Sequence, residues 1–168
     1  MAATALNAQR DELLKVFHCG LDELEANRAG RLGAGQAHRL IRSGNLNVVA
    51  ALVLGAGLAA ILFGVAKKPL VPVQWLLSSG LFLAALAVGI HYARQTRAAA
   101  AAGIVECLAG PVQVQLRGKQ GWWLSVAGQS LKLPIRGWHV QSGASYRVYL
   151  VPRGRLIVAI EPIGAADG

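Results

Sequence analysis

The sequence predicts an α+β membrane protein with N-terminal short helices, a two-helix transmembrane hairpin and a small all-β, barrel-like domain of five to six strands. Two observations predict this fold. Two long apolar runs flank a short basic connector, and apolar and polar residues alternate after Ile104. The predicted segments are a cytoplasmic helical arm (1–45), transmembrane helix 1 (46–66), a connector (67–72), transmembrane helix 2 (73–92), a linker (93–103), a β domain (104–163) and a tail (164–168).

The first apolar run is as long as a bilayer is thick. As a helix, residues 46–66 would measure about 31 Å, and from Val48 to Leu54 the run is apolar on every side. A helix of a soluble core would carry a polar stripe instead. In the second run, Trp75 and Tyr92 would lie about 26 Å apart along a helix, the spacing of the two aromatic belts of a membrane. We therefore predict two membrane spans.

The basic residues predict the orientation of the spans. The chain has 168 residues and a net charge of +9. Only Lys67 and Lys68 lie in the connector, whereas several arginines flank the spans on the terminal side. This bias places both termini in the cytoplasm. The expected interface anchors are Trp75, Tyr92, Arg94 and Arg97.

Small residues recur four apart in both spans. Such rows allow close helix packing, although Ala and Gly are also simply frequent in membrane helices. If the rows do pack, one would close the hairpin and the other would face a partner helix. The candidate packing residues are Gly55, Ala59, Ala60, Gly64, Gly80, Ala84 and Gly89. No Asp, Glu, Lys or Arg lies inside either run, which argues against an ion or proton path.

The arm contains a candidate turn or docking segment formed by Asn27, Arg28, Gly30 and Leu32. Asn27 and Arg28 would end a helix, with Gly30 in a left-handed conformation. The stretch from Leu21 to Leu32, followed by Gln36, resembles a family of two-span prokaryotic membrane proteins with an Asn-Arg-x-Gly-x-Leu motif. The family usually has Ser or Thr where this chain has Gly33.

The resemblance extends to the C-terminal part at Tyr146-Arg147-Val148-Tyr149 and Pro152, and it implies a prokaryotic inner-membrane protein of no known activity. The stretch Gly143 to Pro162 is also similar to the oligonucleotide-binding-fold barrel of NfeD-like membrane proteins. That similarity implies a role in protein interaction beside larger membrane assemblies. Glu161, before Pro162, is expected to be an exposed charge at a strand end.

The β domain carries a candidate basic face made of Arg117, Lys119, Lys132, Arg136 and Arg147. Such a face fits anionic lipid headgroups, and we expect no nucleic acid. No nucleophile elbow, carboxylate pair or metal-ligand spacing occurs in the sequence. We therefore expect no enzyme activity, no small-molecule substrate, no metal and no cofactor. Cys19 and Cys107 fall on the predicted cytoplasmic side, where a disulfide is not expected.

These observations predict a non-enzymatic accessory or scaffold subunit whose β domain and arm contact other proteins of a membrane complex. Its partners would be membrane lipids and other membrane-protein subunits. The alternative is a module that binds lipid through the basic face, or haem or chlorophyll through His91 at the end of the second span.

Overall fold

The computed structural model describes residues 2–65, 72–134 and 136–163, and within them the chain is an α+β protein with four α-helices and two three-stranded sheets. The helices are α1 (Ala2–Val16), α2 (Leu21–Arg28), α3 (Ala34–Val65) and α4 (Pro72–Ala102). The strands are β1 (Glu106–Pro111), β2 (Gln113–Leu116), β3 (Trp122–Val126), β4 (Gln129–Lys132), β5 (Ser145–Val151) and β6 (Leu156–Pro162).

The chain forms two compact units. The globular unit combines Met1–Ala37 with Ala99–Gly168, and the helical unit is His38–Ala98. The globular unit is therefore built from both ends of the chain, and the helical unit is inserted between them. The sequence had predicted the arm and the β domain as separate segments. Residues of both contribute to one buried apolar cluster.

The strands pair as two antiparallel sheets in the orders β1-β5-β6 and β2-β3-β4. Among the described strands no ladder joins the two sheets, so the predicted closed barrel is not seen there. The chain crosses from one sheet to the other at Val112, which is fully buried between β1 and β2. Its N–H donates to Ala144 O at 3.0 Å, and its carbonyl accepts from Gly143 N at 2.7 Å. These two hydrogen bonds fix the backbone at Val112, between the end of β1 and the start of β2.

The core of the globular unit lies between the sheets and is completed by α1. The strands contribute alternate apolar residues, as the sequence pattern predicted. Leu13 of α1 is 1 % exposed and belongs to the same cluster, and Phe17 packs against it. Gln9 Nε2 donates to Tyr146 Oη at 2.8 Å, and Glu12 pairs with His139 at 2.8 Å. The other cluster members are Val112, Leu124, Val126, Leu131, Leu133, Val140, Tyr146, Val148, Leu150, Ile157 and Ile160.

In the helical unit α3 and α4 pack antiparallel along a seam of small residues. A Cβ added to Gly44 would collide with Thr96 Oγ1 and lie 3.0 Å from Ala93 Cα. A Cβ added to Gly89 would lie 3.3 Å from Asn47 O, so residues later in α4 face residues earlier in α3. Larger side chains would not fit at these positions, so the glycines allow the two helix backbones to approach closely.

One described stretch, Ala34–Leu58 of α3, is long and apolar enough to cross a membrane. Transmembrane helix 2 was predicted at residues 73–92, which lie within α4, but no described stretch of α4 meets the same criterion, so the predicted two-span hairpin is shown only in part. The predicted connector, except for Pro72, lies outside the described residues. The segment predicted as a linker, 93–103, is helical as far as Ala102. The helix α4 continues through this segment because the alanines at 98–102 are strong helix formers. Gly103 follows the helix with φ +63°, a conformation that ends helices.

Candidate functional site

Arg28, Tyr149 and Glu161 form a polar cluster where the arm meets the sheet. Arg28 Nε donates to Glu161 Oε2 at 3.2 Å, and Arg28 Nη2 donates to Glu161 Oε1. Tyr149 Oη donates to Glu161 Oε2 at 3.0 Å. The carboxylate therefore accepts hydrogen bonds at both oxygens, two of them from one guanidinium. Such a pair is a charge-assisted contact with a defined geometry.

The register of β5 and β6 positions the two sheet residues of this cluster. Arg147 lies opposite Glu161, and Tyr149 lies opposite Ala159. Side chains at positions two apart share a sheet face, so Arg147, Tyr149 and Glu161 lie on one face. Glu161 is only 5 % exposed, which corrects the expectation of an exposed charge at the strand end. Its burial is possible because α2 delivers Arg28 to it.

The electrostatics of the cluster favour the ion pair. Burial raises the pKa of Glu161, but the hydrogen bonds from Arg28 and Tyr149 and the positive charges of Arg28 and Arg147 outweigh it, so the pKa is lowered overall. The hydrogen bond to Glu161 raises the pKa of Arg28. Burial, together with the negative charge of Glu161, raises the pKa of Tyr149 well above its ordinary value. Tyr149 therefore stays a hydrogen-bond donor across the physiological pH range.

The predicted turn after α2 docks on the segment that follows α4. Gly30 has φ +72°, the left-handed conformation expected of it. Its carbonyl accepts from Val105 N at 3.0 Å, and Leu32 N donates to Gly103 O at 2.8 Å. Asn27 is 1 % exposed, and neither polar atom of its side chain has a hydrogen-bond partner within the described part of the chain. The turn therefore serves a contact inside the globular unit.

The arm motif also contains a buried glutamine. Gln36 Oε1 accepts from Gly33 N at 3.1 Å and caps the start of α3, and Gln36 Nε2 lies 3.5 Å from Cys19 Sγ. A Cβ on Gly33 would lie 2.8 Å from Glu23 Cγ. This crowding gives a physical reason for glycine where the resembled family has Ser or Thr.

The predicted small residues of the helices have different surroundings. Gly55 lies against Phe82, and Gly89 is buried against Asn47 and Val48. Gly80 and Ala84 are exposed, and a Cβ added to Gly80 would meet no atom within 4 Å. The surroundings of Ala59, Ala60 and Gly64 lie outside the described side chains.

Sequence reasoning missed part of the seam. Gly44, Ala93 and Thr96 contact one another there. The signal that could have revealed them is a seven-residue spacing of small residues. It links Gly44 to Ala51 in α3 and Gly89 to Thr96 in α4, and Ala51 and Thr96 are both buried.

The predicted interface anchors lie on the α4 side of the helical unit. Arg94 and Arg97 are exposed, Tyr92 is half-buried, and the side chain of Trp75 lies outside the described residues. Arg97 Nη2 donates to Asn45 Oδ1 at 2.9 Å and so reaches across to α3. His91 is exposed, and its Nε2 is hydrogen-bonded to Gln95 Nε2 at 2.8 Å. That ring nitrogen is therefore engaged by the neighbouring turn of its own helix.

The predicted basic face is divided between the two sheets. Arg117 lies 4.9 Å from the centre of the Trp123 ring, and Lys132 pairs in register with Trp123. Arg147 belongs to the other sheet, beside Glu161. Lys119 and Arg136 are exposed in the turns that follow β2 and β4. The cation–π contact gives Arg117 a structural partner.

The described residues hold no group of three or more His, Cys, Asp or Glu side chains that could bind a metal ion. Cys107 is an exposed residue, but partial desolvation of its thiol raises the pKa of that group, so it is not activated as a thiolate. The hydrogen bonds of the Arg28–Glu161–Tyr149 cluster attach the arm to the sheet.

Comparison of the sequence with protein-family models and with curated proteins, and of the fold with solved structures, gives no match. The function is therefore inferred from the physical features of the chain alone.

Proposed function

We propose that the chain is a non-enzymatic accessory or scaffold subunit of a membrane complex, held in the bilayer by α3 and α4 as a two-span hairpin. In this proposal the globular unit lies in the cytoplasm with both termini. It presents its surface to other proteins, and the hairpin presents a helix face to other membrane subunits.

The observation that supports this most is the contrast between the two units. The globular unit buries most of its large apolar side chains, with Leu21, Ile104 and Leu116 as exposed exceptions, whereas the helical unit leaves many of them exposed along both helices. Leu54 of α3 is 73 % exposed and Val88 of α4 is 69 % exposed. Contiguous apolar surface of this kind marks a membrane or protein contact. Further examples are Leu46, Val49, Leu52, Val53, Leu76, Leu81 and Leu83.

Two features support a role in assembly. Gly80 and Ala84 remain exposed after α3 and α4 have packed, so a row of small residues is open to a further helix. The arm is fixed to the sheet by Arg28 and Glu161, so the globular unit offers a preorganised surface. The lipid-binding alternative through the β domain is less favoured, since its basic residues are divided between two sheets.

Extraction and labelling test the membrane topology. Cys107 is exposed and Cys19 is buried, so an impermeant maleimide should label Cys107. We expect the protein to resist carbonate extraction, and we expect labelling in inverted vesicles but not in intact cells. The control is Cys107→Ser, which should remove the label. Labelling in intact cells would contradict the cytoplasmic placement.

Purification in mild detergent tests the scaffold role. We expect one or more membrane proteins to co-purify in a fixed ratio. Gly80→Leu should weaken this association without unfolding the chain, because a side chain there meets no atom of the chain itself within 4 Å. A monomer without any co-purifying chain would overturn the scaffold role.

A further inference from the structure

The helical unit carries a groove of about 350 Å³ along one face of α3. The groove is lined by His38, Ile41, Arg42, Asn45, Leu46 and Val49. Positions 38, 42, 45 and 49 are spaced three or four apart, so they form one helical stripe. The groove has the size of a small ligand site, and it changes along its length from basic and polar to apolar.

Charge defines what the basic end of the groove can bind. Arg42 and Asn45 both line the groove, and Arg97 of α4 donates to Asn45 Oδ1 at 2.9 Å, so a guanidinium from α4 reaches a residue of the groove lining. No Asp or Glu occurs in the sequence between Glu25 and Glu106. The helical unit therefore has no carboxylate of its own to neutralise these arginines. A planar guanidinium is well suited to an anionic phosphate.

The apolar end of the groove defines the rest of the ligand. Leu46 is 58 % exposed and Val49 is 53 % exposed, and the stripe continues along α3 to Leu52 and Val53, which are also exposed. A free phosphate ion would use only the basic end. A molecule with a phosphate and an attached hydrocarbon chain would cover both ends.

We propose that this groove binds one anionic phospholipid, with its phosphate between Arg42 and Arg97 and an acyl chain along Leu46 and Val49. This inference rests on the proposed membrane placement, which puts the groove at the cytoplasmic leaflet, where anionic lipids bind clusters of basic residues next to a span. The bound lipid supplies the negative charge that the helical unit lacks.

The test uses the full chain reconstituted in phosphatidylcholine nanodiscs containing a minor fraction of phosphatidylglycerol, with retained lipids counted by native mass spectrometry. One arginine near an anionic surface strengthens the attraction about fivefold. We therefore expect Arg42→Gln to lower phosphatidylglycerol retention about fivefold, and the double variant Arg42→Gln/Arg97→Gln to lower it by roughly twenty- to thirtyfold. Arg42→Lys should restore part of the retention.

The matched control is Arg153→Gln, which removes an exposed arginine from the globular unit and should leave retention unchanged. Equal loss in Arg42→Gln and Arg153→Gln, or no loss in either, would overturn the groove as the site. Displacement of the lipid by millimolar inorganic phosphate would assign the groove to the free ion.

Carbonate extraction of the same variants separates this inference from the proposed function. A wild-type chain that leaves the membrane contradicts the hairpin itself. If the wild-type chain stays in the membrane but retains phosphatidylglycerol no better than phosphatidylcholine, only the groove proposal fails.

Discussion

At the residue scale, Glu161 is a buried carboxylate whose charge depends on one residue of the arm. It accepts hydrogen bonds from Arg28 and Tyr149, and its pKa is lowered although burial acts in the opposite direction. Removing one partner of such a pair costs more than replacing both, because the remaining charge is left buried and unpaired.

Arg28→Met should therefore destabilise the globular unit by about 2 kcal/mol, a value reduced from that of a fully buried pair because Arg28 is partly exposed. The double variant Arg28→Met/Glu161→Met should recover much of this loss, since no buried charge remains. Urea unfolding of the full chain in detergent measures both, followed by tryptophan fluorescence, to which Trp122, Trp123 and Trp138 of the globular unit contribute. Additive losses in the double variant would contradict the coupling.

The lowered pKa of Glu161 also predicts how stability depends on pH. A carboxyl group with a lowered pKa in the folded state contributes stability above its unfolded value, about 4.3, and loses it as the pH falls through the folded pKa. The stability gap between the wild type and Arg28→Met should therefore shrink as the pH falls from 6 to 3. The control compares Glu161→Gln with the double variant Glu161→Gln/Arg28→Met. The difference between their free energies of unfolding should not change with pH.

The sequence did not predict this cluster because its partners lie 133 residues apart. Hydrophobic periodicity indicates which face of a helix or strand is buried. It does not indicate which residue, distant in the sequence, pairs with a charged side chain on that face. The position of Glu161 before Pro162 indicated an exposed strand end. By contrast, the left-handed conformation of Gly30 was predictable, since a local backbone requirement selects glycine there.

At the element scale, α3 and α4 depend on small residues where their backbones meet. Their helical character was predictable, because long apolar runs and an alanine-rich end both favour helix. The seam was predicted only in part, since spacing alone does not say which of several rows of small residues meets the other helix. Gly89 lies in the seam, whereas Gly80 does not.

Gly44→Val should weaken the helix pair by about 1–3 kcal/mol, because the added side chain collides with Thr96 and Ala93. Gly57→Val is the matched control, since a Cβ there meets no atom within 4 Å. Titration with dodecyl sulfate, followed by the circular dichroism of the helices, should show an earlier transition for Gly44→Val alone. Equal shifts in both variants would indicate a helix-propensity effect instead.

At the scale of the whole molecule, the part of the arm from Met1 to Ala37 belongs to the same compact unit as the strands. The sequence predicted the helices of the arm and the strands of the β domain separately, but it did not predict that they share a core. Leu13 and Leu14 form an apolar patch on α1, but the local sequence pattern does not indicate which residues pack against that patch. The structure shows that Leu13 packs with residues of both sheets.

Leu13→Ala should accordingly destabilise the globular unit by about 2–4 kcal/mol, the cost of a cavity in a packed core. Leu21→Ala is the matched control, because Leu21 is 59 % exposed and its truncation leaves no cavity. Limited proteolysis of the full chain in detergent should show faster cleavage in the strands of Leu13→Ala only. Unchanged strands in that variant would mean that the arm is not part of the core.

The shared core has a consequence for the order of events on the ribosome. Leu13 is made early, whereas its partners on β5 and β6 follow more than 130 residues later. At translation rates of about 5–20 residues per second, on the order of ten seconds pass between the synthesis of α1 and that of the strands that bury its apolar face. During that interval both long helices, α3 and α4, are synthesised. Until the last strand is made, the apolar face of the nascent arm therefore lacks the core that covers it in the folded chain.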